Sequence, residues 1–88
     1  MKNIFLNEKK ALVMMNLLNG ATYIRHIAEK SGTMYPHALQ TLKILEKKNY
    51  VDSTKEGRIR IYQLTEKGQK VAELIKELWE LTENKPES

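Results

Sequence analysis

At 88 residues, with 41% hydrophobic and 30% charged side chains, the chain is long enough for one folded domain and too apolar for a disordered tail. The absence of cysteine excludes disulfides and thiolate metal sites, no apolar run nears the ~20 residues that span a bilayer, and the N-terminus lacks a signal-peptide pattern, so an intracellular protein is expected. The net charge of +4 is uneven: residues 1–64 hold eleven Lys/Arg against five Asp/Glu and residues 65–88 hold four against six, which points to an anionic partner for the body alone.

Ile4, Phe5 and Leu6 form an apolar lead-in to Asn7, a helix N-cap, with Glu8 in the first turn. In the helix that follows, as far as Leu18, Ala11, Met15 and Leu18 share one side, and Val13 and Leu17 broaden it. So much apolar surface in so small a chain suggests an intersubunit contact. Asn19-Gly20 reads as a left-handed stop. Ala21-Thr22-Tyr23 predicts a single-bridge strand. A second helix over 24–30 turns Ile24, Ile27 and Ala28 inward and Arg25, Glu29 and Lys30 outward. Ser31-Gly32-Thr33 is a turn, with Gly32 at positive φ and Thr33 capping the next helix.

That next helix, about 34–48, is two-sided. Advancing 100° per residue puts Met34, Ala38, Thr41, Leu42 and Leu45 on a core-facing stripe and Pro36, Gln40, Lys43 and Lys47 opposite. The outer stripe holds no acid. Leu39 and Ile44 lie off it and are expected to be exposed. Asn49 ends the helix, and a hairpin follows: a strand from Tyr50-Val51, a turn at Lys55-Glu56-Gly57, and a second strand over 58–64, with Lys55 and Arg58 at the tip and Arg60 on the same face as Arg58.

Thr65 then caps a last helix, over 65–83, where Gly68 lowers helix propensity. Val71, Leu74, Leu78 and Leu81 recur at intervals of 3, 4 and 3, with Ile75 and Trp79 beside them. This heptad-like stripe predicts a C2 dimer with the two last helices packed together. Residues Asn84 to Ser88 are expected to fray. His26 and His37 have no third ligand at metal-binding spacing, and nothing resembles a catalytic constellation or phosphate loop, so neither a metal, a cofactor nor an enzyme is expected.

Three stretches, Ile27-Ala28-Glu29-Lys30-Ser31-Gly32, Leu42 through Val51, and Arg58 through Gly68 with its Leu64-Thr65-Glu66-Lys67-Gly68 close, make the chain resemble small bacterial and archaeal winged helix-turn-helix regulators of the MarR and PadR kinds over about residues 7–82. The resemblance implies an α+β, mostly α fold: one winged-helix domain over 1–88, a DNA-binding core at 7–64 and a C-terminal dimerisation helix at 65–83. It implies sequence-specific binding of double-stranded DNA by a homodimeric transcriptional regulator at the nucleoid of a prokaryotic cytoplasm. The helix at 34–48 would enter the major groove and the wing at 51–64 would touch flanking backbone or minor groove. The contacts so implied are Arg25, Lys30, Thr33, Tyr35, Pro36, His37, Gln40, Lys43, Lys47, Lys55, Arg58 and Arg60, with Gln40 suited to adenine. The dimer residues are Val71, Leu74, Ile75, Leu78, Trp79 and Leu81.

The family often has Ser or Thr at the start of the recognition helix and Arg one turn on, where this chain has Met34, Pro36, His37 and Gln40. Full MarR proteins are also longer and seat ligands between their domains, so no small-molecule effector pocket is expected here. The rival readings are a winged-helix module that docks an acidic protein through Leu39 and Ile44, and a non-specific chromatin-like DNA coat.

Overall fold

The computed structural model describes residues 7–82. In chain order these form α1 (Glu8–Leu17), β1 (Thr22–Tyr23), α2 (Ile24–Ser31), α3 (Tyr35–Lys47), β2 (Val51–Glu56), β3 (Ile59–Leu64) and α4 (Glu66–Thr82). The expected lead-in at 4–6, the fraying at 84–88 and the last residue of the 65–83 helix lie outside the described residues. Four helices and a three-stranded antiparallel sheet, ordered β1-β3-β2, make the mostly helical winged-helix architecture expected from the sequence.

The core collects one or two residues from almost every element. Val13, Met14 and Leu17 of α1 meet Ile27 of α2, Leu42 and Leu45 of α3, Val51 of β2, Tyr62 of β3 and Ala72 of α4. Each fully buried large apolar side chain contributes about 1.5–3 kcal/mol, so this cluster is the main stabilising term. On α1 the buried set is Ala11, Val13, Met14 and Leu17, and Met15 and Leu18 are only half-buried. The inward face is therefore rotated from the one expected, and much of the apolar surface ascribed to a partner is used within the domain. Asn7 does cap α1, accepting from the Lys10 N–H at 3.1 Å. The helix ends differently from expectation, at Leu18 in right-handed conformation, and Gly20, at φ 124°, turns the chain afterwards.

The wing register runs from Val51↔Leu64 to Glu56↔Ile59, so the two-residue turn is Gly57-Arg58. Gly57, at φ 63°, sits where a type II′ turn takes glycine. Arg58 is thus at the tip, as expected, but within the turn itself, so it does not share a strand face with Arg60. β1 forms two pairs with β3, Thr22↔Tyr62 and Tyr23↔Ile61, rather than a single bridge.

α4 is seated against the link between α3 and β2. Asn49 is left-handed there, at φ 69°. The Thr65 hydroxyl donates to Asn49 O at 2.7 Å and accepts from the Gly68 N–H at 2.9 Å, while the Thr65 N–H reaches Tyr50 O at 3.1 Å. Gly68 is buried directly on the Tyr50 backbone. Lys67 places its ammonium 4.6 Å from the centre of the Tyr50 ring. The three bonds at Thr65 fix where α4 starts; the glycine lets it come close.

Candidate nucleic-acid interface

The turn before α3 is built by backbone bonds. Gly32, at φ 64°, lets the Thr33 N–H reach back to Ala28 O at 3.0 Å and the Gly32 N–H to Glu29 O at 3.3 Å, the paired bonds of a Schellman ending. Lys9 of α1 donates to Gly32 O at 2.8 Å, and Asn16 donates to the buried Ser31 hydroxyl at 2.9 Å, so α1 clamps the turn from behind. Thr33 is occupied in closing α2 and does not cap α3. Met34 is the N-cap instead, extended at φ −86° and ψ 153°, with no side-chain cap bond. Because it precedes the helix, the 100° spacing does not apply to it, and its side chain is 69% exposed rather than in the core.

From Tyr35 onward α3 is two-sided as its sequence predicts, except that Thr41 of the inner stripe is only half-buried. Ala38, Leu42 and Leu45 are fully buried, while Pro36, His37, Gln40, Lys43 and Lys47 are exposed. Leu39 and Ile44 are half-buried, so they do not form the free apolar patch a protein-docking surface would need. The one acid on α3, Glu46, is also half-buried and accepts a bond from Ser53 of β2 at 2.8 Å.

Between the start of α3, the start of α2 and the wing lies a cleft of about 550 Å³. Arg25, Tyr35, Arg58 and Arg60 line it, with Leu39 and Tyr62 among its walls. Four of the expected contact residues, from three elements, therefore converge. Lys55 stands opposite Arg60 in the hairpin. Lys30 is exposed at the far end of α2, and Thr33 is half-buried in the turn. Burial raises the Tyr62 hydroxyl pKa above its ordinary 10.0, the charges of Glu46 and Tyr35 push the same way, and Arg60 opposes them.

His26 serves structure. Its Nδ1 shares a hydrogen bond with the Thr22 hydroxyl at 2.9 Å, and its ring lies 6.1 Å from that of Tyr23, which holds β1 to α2. Among the described residues no three His, Asp or Glu side chains cluster as metal ligands would, and no helix is long and apolar enough to cross a membrane.

The apolar stripe of α4 divides in two. Val71 and Ile75 pack on the core beside the buried Ala72, and Trp79 is half-buried. Leu74, Leu78 and Leu81 are left on an exposed ridge. The periodicity of the sequence does not single out Ala72, Ser53 or Glu46: Ala72 is too small to mark a stripe, and the other two meet only across the fold.

The HxlR-like helix-turn-helix family model matches residues 5–88. A curated relative from Archaeoglobus fulgidus, described only as an uncharacterized protein, is 37% identical over 62 residues, which is 70% of this chain and 65% of the relative; the match thus spans less than two thirds of that protein. Among solved structures, AF1382 of the same organism is 30% identical with a TM-score of 0.83, covering 93% of this chain and 96% of its own. Lactococcus lactis ZitR in complex with DNA is 24% identical with a TM-score of 0.80, over 96% of this chain and 57% of that one. A MarR family transcriptional regulator from Silicibacter pomeroyi is 19% identical with a TM-score of 0.79, over 89% and 57%. The last two likenesses are of fold, and they agree with the MarR resemblance read from the sequence.

Proposed function

The chain belongs to the HxlR-like helix-turn-helix family, a family of DNA-binding regulators rather than enzymes, and from that premise we propose that it acts as a homodimer binding specific double-stranded DNA sites to regulate transcription in the cytoplasm. The observation that carries this reading is the two-sided α3. Ala38, Leu42 and Leu45 of its inner stripe are fully buried, while Pro36, His37, Gln40, Lys43 and Lys47 stand exposed without an acid among them. A helix of 13 residues is about 20 Å long and fits a major groove about 12 Å wide.

Gln40 offers an amide that can pair with adenine, and Lys43 and Lys47 reach phosphates or guanine edges. Tyr35, His37 and Arg25 flank the entry of the helix into the groove, and Lys30 and Thr33 are candidates for backbone register. Lys55 and Arg58 at the wing tip reach flanking phosphates or a narrow minor groove. Dimerisation follows from the ridge of Leu74, Leu78 and Leu81, extended by Trp79, which a second copy would bury around a two-fold axis. The recognition helices would then lie about 34–36 Å apart and favour a pseudo-palindromic site.

The test is a titration of genomic duplex fragments against random duplex at several salt concentrations, with the protein's mass measured by sedimentation. A dimer with a steep salt slope and a preferred fragment is the expected result. Affinity weaker than about 10⁻⁴ M at moderate salt with no slope would reject DNA binding. A steep slope with no preference among fragments would leave only the non-specific coat.

A further inference from the structure

On β3, Arg60 shares a strand face with Tyr62 and Leu64, the face turned toward the helices, and Lys55 stands directly opposite it. Two cations in such a pair are unfavourable on their own. The guanidinium is not left with Lys55 alone: its Nη1 donates to the Ser53 hydroxyl at 3.0 Å, and that hydroxyl donates to Glu46 Oε2 at 2.8 Å. A serine hydroxyl can accept from one neighbour and donate to another at once, so Ser53 relays between the charges. Glu46 is the one acid in the last two turns of α3, where an unpaired carboxylate would repel an approaching phosphate.

We propose that Arg60 is a positioning residue and not an independent phosphate contact: through Ser53 and Glu46 it ties the wing to α3 and sets the angle at which Lys55 and Arg58 meet DNA. The consequence for affinity rests on the DNA-binding reading above; the tie itself does not. The charges of Glu46 and Arg60 act in opposite directions on the Tyr62 hydroxyl, which places both in the corner between α3 and the hairpin. Arg58, out in the tip, has no part in this relay. The two arginines of the wing therefore have separate tasks.

Ser53→Ala breaks the relay without changing any charge, and Ser53→Thr keeps a hydroxyl in a residue that strands favour. Two readouts are taken on the full chain. The first is amide hydrogen exchange across residues 51–64 without DNA. Faster exchange in Ser53→Ala and Arg60→Ala, with Arg58→Ala and Ser53→Thr like wild type, is expected; unchanged exchange in Ser53→Ala overturns the tie whether or not the protein binds DNA.

The second readout is duplex affinity against salt. Ser53→Ala should weaken binding about fivefold, the scale of one net hydrogen bond, with the salt slope unchanged, and Ser53→Thr should restore it. Arg58→Ala should lower the slope by about 0.9 for each phosphate that the side chain neutralises in the wild type. Arg60→Ala made on top of Ser53→Ala should cost little more. If Ser53→Ala leaves affinity within twofold while Arg60→Ala lowers the slope as Arg58→Ala does, Arg60 is a phosphate contact and the proposal is wrong. Absence of binding by wild type would defeat the DNA reading and leave the exchange experiment to decide the tie.

Discussion

Replacing Gly68 with alanine separates two opposite expectations for one residue. By helix propensity alone Gly68→Ala should stabilise α4 by about 1 kcal/mol. In the folded chain, a Cβ at Gly68 would lie 2.8 Å from the Tyr50 carbonyl carbon and nearer still to its oxygen. Both atoms are backbone, so no rotamer change relieves the clash. Tyr50 O is also the acceptor for the Thr65 N–H, and Thr65 in turn caps Gly68. Moving α4 away would stretch the Thr65 N–H bond to Tyr50 O and the Thr65 hydroxyl bond to Asn49 O, each worth about 1 kcal/mol, in addition to an overpacking cost of about 1–3 kcal/mol. After the propensity gain is subtracted, a net loss of about 2–4 kcal/mol is expected. For a domain of this size that lowers Tm by about 8–32 °C. Thermal and urea melts at fixed protomer concentration measure it, since an associating chain has a concentration-dependent midpoint. A rise in Tm of a few degrees would show that the approach to Tyr50 does not constrain the helix.

Three further outcomes are expected. Leu74→Glu with Leu78→Glu should convert the proposed dimer to a folded monomer in sedimentation and weaken operator binding by about two orders of magnitude through loss of the second half-site; a persistent dimer would move the interface elsewhere. Gln40→Ala should change the ranking of DNA sites, whereas Lys43→Ala should weaken all of them and lower the salt slope, and an equal loss across sites for Gln40→Ala would remove its base-reading role. The raised pKa of Tyr62 means the fold favours its neutral hydroxyl, so that contribution to stability is complete below the ordinary 10.0 and is lost as pH rises through the higher folded value. Urea-unfolding free energies measured between neutral and strongly alkaline pH should therefore fall less steeply for Tyr62→Phe than for wild type, and parallel curves would count against the shift.

The features legible in the sequence are those set by neighbours in the chain. Gly32 between Ser31 and Thr33 marks a left-handed turn because glycine alone occupies that conformation without strain, and the turn is there. Ala38, Leu42 and Leu45 declare an inner stripe by spacing alone. The misreadings occur where such a rule is carried past its boundary. Met34 falls on the inner stripe by helical spacing although it stands before the helix. Thr33 suits an N-cap by type, but it serves as the residue that closes α2 and α3 begins one residue too late for it, with Met34 at the cap position. A slip of one residue in the wing turn starts the second strand at Arg58, on one face with Arg60, when Glu56↔Ile59 starts it at Ile59 and leaves Arg58 in the turn. Gly68, Ser53 and Glu46 are not legible because each acquires its role from a residue brought near only by the finished fold.

This division bears on how the protein would choose its DNA. The bonds that tie α3 to the rest of the fold are made at its two ends, by Lys9 on the turn before it, by Glu46 to Ser53 of the wing and by Thr65 on the link after it. Gln40, Lys43 and Lys47 on the outer side take no part in those bonds. Substitution on the outer face therefore leaves the mounting of the helix intact, and a change in base preference need not alter how the helix docks. Met34, Pro36, His37 and Gln40 stand where the resembling families often have Ser or Thr at the helix start and Arg one turn on, while Ala38, Leu42 and Leu45 beneath them form an ordinary buried stripe. A family can hold one docking geometry while its members read different sites when the two tasks sit on opposite faces of one helix. In the reading proposed for this chain they do.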